Sequence, residues 1–208
     1  MKIAVSILSS IYDEEETIKR INETDAEFLH VDVLDGSFVP QKTPKREFLH
    51  TCTKPLNVHL MVSRPFDYIS TFKELGADAI IIQAELEDDL ESLLKYIKEL
   101  GMKCGLALSP ATSVSKLENY LNLLDDVLVL CVEPGAGGQK MLEFTLEKID
   151  ELVKIRDERG YTYEIIVDGG VNEETIDKVR KADIAVVGSF ICKSEDYQER
   201  INKLRLLK

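Results

Sequence analysis

Short apolar runs alternate with amphipathic helical stretches along the whole of this chain, and that alternation limits the fold more than any single motif. Strands are expected at residues 3–8, 28–33, 57–62, 79–83, 103–108, 127–132, 164–167 and 184–187. Helical patterns fill residues 13–22, 65–75, 88–100, 113–120, 141–159 and 173–181, and a last one spans 194–207. The connection after Val33 is irregular, carrying Pro40 and Pro44 with room for only a short helix. Several strands are continuous apolar runs, such as Ala79-Ile80-Ile81-Ile82, as expected of parallel strands covered on both faces. Eight strand–helix units without a Pro/Gly/Ser-rich linker fit an α/β fold, a single (β/α)8 TIM barrel over residues 1–208. A doubly wound open sheet shows the same alternation. The barrel is favoured because polar residues collect past the C-terminal ends of several different strands, where a barrel places its chemistry.

Composition narrows the function classes. The net charge of −12 opposes non-specific binding to nucleic acid, although local donors can still hold a small phosphorylated molecule. No stretch reaches the roughly 20 apolar residues of a membrane span. The N-terminus runs into a strand-like segment without a signal-peptide pattern, so a cytoplasmic enzyme is expected. Cys52, Cys104, Cys131 and Cys192 form no Cys-x-x-Cys pair and read as reduced thiols filling the core.

Two of the chain's three histidines, His30 and His59, fall in or at the end of strand-like runs. In Phe28-Leu29-His30-Val31-Asp32-Val33, residues two apart point the same way, so His30 and Asp32 can bind one ion or simply each other. His59 occupies the corresponding place on the next strand, where a satisfied core histidine is the plainer alternative. Asp168 ends an apolar strand and is followed by Gly169-Gly170, which suits a ligand's close approach or an ordinary turn. Together, two imidazoles and two carboxylates are the donor set of a borderline divalent metal such as zinc that keeps positions open for a substrate. Iron, manganese or cobalt would also accept it.

Phosphate has its own signals. Glu133-Pro134-Gly135-Ala136-Gly137-Gly138-Gln139 is a glycine-rich loop between strand and helix, and Val187-Gly188-Ser189 ends the last strand. Backbone N–H groups in such loops cradle phosphate without a cationic side chain, and in barrels the loops after strands seven and eight often do so. Other prominent residues read as structural. The acidic run from Glu85 to Asp89 suits the solvated first turn of a helix, His50 a surface position, and Tyr161 and Tyr163 packing.

Taken together, the chain resembles the ribulose-phosphate 3-epimerase family over essentially its whole length. The motifs are His30-x-Asp32-x-x-Asp35-Gly36-x-Phe38-Val39-Pro40, His59-Leu60-x-Val62, Pro134-Gly135-x-Gly137-Gly138-Gln139 and Val167-Asp168-Gly169-Gly170. The resemblance implies a (β/α)8 barrel of the ribulose-phosphate-binding type, an isomerase interconverting D-ribulose 5-phosphate and D-xylulose 5-phosphate. It implies His30, Asp32, His59 and Asp168 as ligands of a divalent metal. Asp32 and Asp168 become the two groups that exchange a proton at C3 through an enediolate stabilised by that metal. Ser6, His59, Gly135, Ala136, Gly137, Gly138, Gly169, Gly170, Gly188 and Ser189 become the contacts to substrate. The expected partners are a phosphorylated ketose and further copies of the chain.

The chain also departs from the family's pattern. Leu34 and Leu130 stand where methionines are usual, leaving Met61; Ala136 replaces an aromatic; Gln83 stands where histidine is common; and the segment from Gln41 to Arg46 lacks the usual Asn and Gly-Pro. These changes leave room for a six-carbon ketose phosphate such as allulose 6-phosphate. A phosphate-binding barrel of another reaction type, such as a decarboxylase or a thiamine-phosphate synthase relative, would not need both histidines. A non-catalytic sugar-phosphate binder would not need both aspartates.

Overall fold

Alternation of side chains along each strand lets one apolar run serve two cores. The computed structural model describes residues 1–206. Its strands are β1 (Lys2–Ser6), β2 (Phe28–Leu34), β3 (Leu56–Met61), β4 (Ala77–Gln83), β5 (Lys103–Leu108), β6 (Asp126–Leu130), β7 (Glu164–Asp168) and β8 (Ile184–Val187). They pair in chain order as a closed barrel, parallel throughout, and β1 closes on β8 through a register running from Lys2↔Ile184 to Val5↔Val187. Ala4, Ile81, Ala107, Leu128, Ile166, Ile184 and Val186 pack together inside. The alternate residues, among them Val5, Val31, Val58, Ile80 and Ile82, pack outward under the helices. Closure decides between the barrel and the open sheet.

The helices are α1 (Glu14–Asn22), α2 (Phe66–Glu74), α3 (Leu90–Glu99), α4 (Glu147–Arg159), α5 (Ser189–Cys192) and α6 (Tyr197–Leu206). Their ends follow local chemistry. The Asp13 and Asp89 carboxylates accept from the Glu16 and Ser92 amides, capping α1 and α3. Gly160, at φ 67°, ends α4 in the left-handed conformation. The predicted strand over 3–8 stops at Ser6, because Ile7–Ser9 turns into a 3-10 helix.

Two predicted helices are only single 3-10 turns, Val114–Leu117 and Ile176–Val179. In the second, Asn172 and Thr175 side chains bond the Glu174 amide, the Asn172 amide and the Gly170 carbonyl, competing with helical hydrogen bonds over the first turn. The expected helix over 141–159 likewise opens with a 3-10 turn, Glu143–Leu146, before α4. α5, directly after β8, was not anticipated, and Leu207 of the last predicted helix lies outside the described residues. The irregular connection after β2 holds only the turn Leu49–Thr51. All four cysteines are free. Among the described residues no helix is long and apolar enough to cross a membrane.

The lower mouth of the barrel holds an ionisable group at odds with its surroundings. Asp126 opens β6, is 2% exposed, and its Oδ1 has no hydrogen-bond partner. Burial pushes its carboxyl up to about 7 despite the opposing charge of Lys103. The folded protein therefore keeps a proton that the unfolded chain releases near pH 4, and stability is lost as pH rises from there to about 7. Asp126→Asn is expected to raise stability at pH 8 by about 2 kcal/mol and to change little at pH 4. Urea unfolding at the two pH values reads the difference, and equal effects at both would contradict the assignment.

Candidate metal and active site

Strands β2, β3 and β7 aim four polar side chains at one point, as the strand period requires. His30 and Asp32 stand two apart on β2, and the register Asp32↔His59 sets the second histidine beside the first aspartate. Asp168 arrives from β7, on the far side of β8 and β1. One ligand atom from each of His30, Asp32, His59 and Asp168 lies within 4.8 Å of all the others. His30 Nε2 is 3.4 Å from Asp32 Oδ1 and 3.9 Å from Asp168 Oδ2, while His59 Nδ1 is 3.3 Å from Asp32 Oδ1. Ser6 Oγ donates to Asp32 Oδ2 at 2.9 Å. Both histidines are fully buried, and neither ring nitrogen of His30 makes a hydrogen bond. A buried imidazole with idle nitrogens, facing two carboxylates, is a donor set that suits a divalent cation.

The two carboxyls are driven apart. Burial alone would raise Asp32, but the charge of the nearby His30, then the hydrogen bond and charge of His59, outweigh it and hold Asp32 well below the usual carboxylate range. Asp168 has less support, and burial together with the negative charge of Asp32 pushes it up to about 7. His30 is raised, the two aspartates overcoming its burial, whereas burial lowers His59.

Beside the cluster opens a cleft of about 140 Å³ lined by Asp32, Asp168, Ser6, Gly135, Ala136, Gly137, Gly138, Gly169, Gly170, Gly188 and Ser189. The predicted glycine loops and carboxylates thus share one wall. His59 stands behind Asp32 and does not line the cleft. The loops are packed backbone to backbone. Gly170 has φ +70°, and a Cβ there would lie 2.5 Å from the Met141 amide nitrogen. Gln139 straps its own loop by donating to the Glu133 and Ala136 carbonyls at 2.7 and 2.8 Å.

Of the apolar positions, Met61 and Leu130 line the cleft, while Leu34 sits one layer back, packed with Met61 and Val39. Gln83 is buried against His59, its Nε2 2.9 Å from His59 Nε2. Ser9 and Lys193 were not singled out from sequence. Ser9 lines the cleft, and Lys193 Nζ lies 3.8 Å from where a Cβ on Gly138 would sit. Ser9 belongs to the unforeseen turn after β1, and a lysine at the tail of a short helix carries no signal apart from solvent exposure.

The acidic run divides. Asp89 caps α3, but Glu85 instead accepts from the Ser109 amide at 2.9 Å, tying neighbouring strand ends together. His50 is exposed and Tyr163 is buried with its hydroxyl donating to the Leu152 carbonyl, as expected.

A closed parallel barrel with a buried His2Asp2 cluster beside a glycine-lined cleft defines a class of small-molecule barrels with chemistry at the C-terminal ends of the strands. The sequence pattern of the ribulose-phosphate 3 epimerase family matches residues 2–192, and the chain belongs to that family. It is 38% identical to the ribulose-phosphate 3-epimerase of Bacillus subtilis, over 99% of this chain and 98% of that one. Identity to the Escherichia coli protein of the same name is 35%, over 98% and 94% of the two chains. Among solved structures, a thiamine phosphate pyrophosphorylase from Pyrococcus furiosus superposes with a TM-score of 0.67 at 17% identity, covering 99% of this chain and 94% of that one. A 3-hexulose-6-phosphate synthase from Salmonella typhimurium does so at 0.67 and 18%, covering 100% and 98%. At these identities the likeness is one of fold.

Proposed function

We propose that this chain is a metal-dependent ribulose-phosphate 3-epimerase, interconverting D-ribulose 5-phosphate and D-xylulose 5-phosphate by proton transfer at C3. The observation that carries the reading is the pair Asp32 and Asp168, two carboxyls from separate strands meeting at one cluster and both lining the glycine-rich cleft. Inverting a carbon next to a carbonyl needs a base on one face and an acid on the other, and one such pair can exchange those roles between directions. A divalent cation, zinc by the donor chemistry, would be held by His30, Asp32, His59 and Asp168 and would supply Lewis-acid polarisation of the ketose oxygens.

The remaining roles follow from the chain's own groups. Ser6 fixes the Asp32 carboxylate through Oδ2 and leaves Oδ1 toward the cluster. The glycine loops around Gly138, Gly170, Gly188 and Ser189 offer backbone donors to the phosphate. Met61 and Leu130 make the cleft wall apolar near the reacting carbon, which limits water there. The name shared by the relatives supports this reading.

A six-carbon ketose phosphate is the alternative favoured by one feature, since the loop residue Ala136 is small and exposed at the cleft. Parallel assays of ribulose 5-phosphate and allulose 6-phosphate separate the two. Ribulose 5-phosphate is expected to react with a kcat/KM at least about tenfold higher, the discrimination a pocket gives for one added carbon unit. The reverse order would assign the larger sugar, and turnover of neither would overturn the proposal.

A further inference from the structure

The His59 ring is bracketed by two side chains of different character. Its Nδ1 faces Asp32 Oδ1 at 3.3 Å, and its Nε2 meets Gln83 Nε2 at 2.9 Å. All three side chains are buried, with Gln83 and His59 at 0% exposure. In this arrangement Nδ1–H donates to the Asp32 carboxylate, and Nε2 accepts from the Gln83 amide. The Gln83 Oε1 is buried without a partner. The same nitrogen that donates to Asp32 is the one turned to the cluster, so it can bind a cation only in the other tautomer, with the proton on Nε2. That tautomer needs an acceptor where Gln83 now donates.

From this geometry we infer that Gln83 is the positioning residue that lets His59 serve in both states: its amide donates to Nε2 in the metal-free protein and turns over to accept from Nε2–H when Nδ1 is given to the metal. A carboxamide carries both a donor and an acceptor at one end of a short side chain, and here the acceptor is idle. Turning the amide gives up one hydrogen bond and makes another, so neither state leaves the buried ring nitrogen unpaired. An apolar residue would leave Nε2 unpaired in both states, as a bare acceptor without metal and as an N–H with it. The N–H of a metal-polarised imidazole is the stronger hydrogen-bonding group and the costlier to bury alone, so the difference falls on metal affinity. The inference rests on the metal-dependent reading above.

The test combines zinc affinity, by competition with a chelator, and long-range 1H–15N spectra of the His59 ring in metal-free and zinc-loaded protein. In the wild type the ring proton is expected on Nδ1 without metal and on Nε2 with zinc. Gln83→Leu is expected to bind zinc about 10–100-fold more weakly, the usual effect of losing a partner to a metal-bound histidine. Gln83→His, which also carries a donor and an acceptor, is expected to restore affinity to within a few-fold. Thermal unfolding of the metal-free variants identifies a Leu variant that fails to fold, in which case Gln83→Met replaces it with the same expectation.

Wild-type affinity in the apolar variant would overturn the role of Gln83 while leaving the metal site intact, as would one tautomer in both states of the wild type. Failure of the wild type to take up zinc at all would overturn the metal-dependent reading itself, and this inference with it.

Discussion

Asp168→Asn is expected to lower kcat for epimerisation by about three orders of magnitude, the middle of the range for removing a positioned acid–base group. The substitution is nearly isosteric. The Asp168 backbone carbonyl, which accepts from the Cys131 amide, is untouched, so the barrel should fold as before. What the asparagine cannot do is hold and release a proton, the role proposed for this carboxyl at C3. Asp32→Asn is expected to be as damaging. The two variants should nevertheless differ in one respect. Each, compared as zinc-loaded protein with its metal content measured, keeps one base, so each should still exchange the C3 proton of one epimer with solvent without completing inversion, and the two should favour opposite epimers. Exchange from the same epimer in both variants would mean that the carboxylates do not act on opposite faces.

Gly170→Ala is expected to have the second-largest effect. Gly170 lies at φ +70°, and an added Cβ would sit 2.5 Å from the Met141 nitrogen and 2.8 Å from its Cα. Neither contact is to a flexible side-chain end, so the loops after β6 and β7 must separate. Strain and overpacking together should cost about 3 kcal/mol of stability. Displaced donors should also raise KM for the phosphorylated sugar about tenfold or more, with a smaller change in kcat, because the phosphate is bound alike in ground and transition states. Gly101→Ala is the control. It shares a positive φ of +77° but has nothing within 4 Å of the added carbon, so it should cost only about 1 kcal/mol and leave KM unchanged. Equal losses in the two variants would show that backbone conformation, not the packed loops, makes Gly170 necessary.

Much of this site is legible in the sequence because strand geometry carries it. Apolar runs such as Ala79-Ile80-Ile81-Ile82 identify strands covered on both faces, and the period of two places His30 and Asp32 on one side without any knowledge of the fold. Closure is less accessible, since the pairing of β1 with β8 joins residues from the two ends of the chain. The misjudged segments are those where side chains bond locally. Asn172 and Thr175 hold a turn in place of the helix that periodicity suggests after β7, and Glu85 spans two strand ends instead of meeting solvent. Ser9 reaches the cleft through a 3-10 turn, and Lys193 approaches the Gly138 loop from a helix end, which no strand period announces. Gln83 was visible as a departure from the family's pattern, but its contact with His59 depends on the register of β4 against β3.

The central claim is proton transfer at C3 by a metal-loaded pair of aspartates. It is tested most directly by following deuterium from D2O into C3 of ribulose 5-phosphate, with zinc-loaded protein and with protein stripped by a chelator. Deuterium entering both epimers at the rate of turnover, and ceasing on metal removal until zinc is restored, is the result expected. Epimerisation without deuterium at C3, or exchange undiminished in metal-free protein, would contradict it.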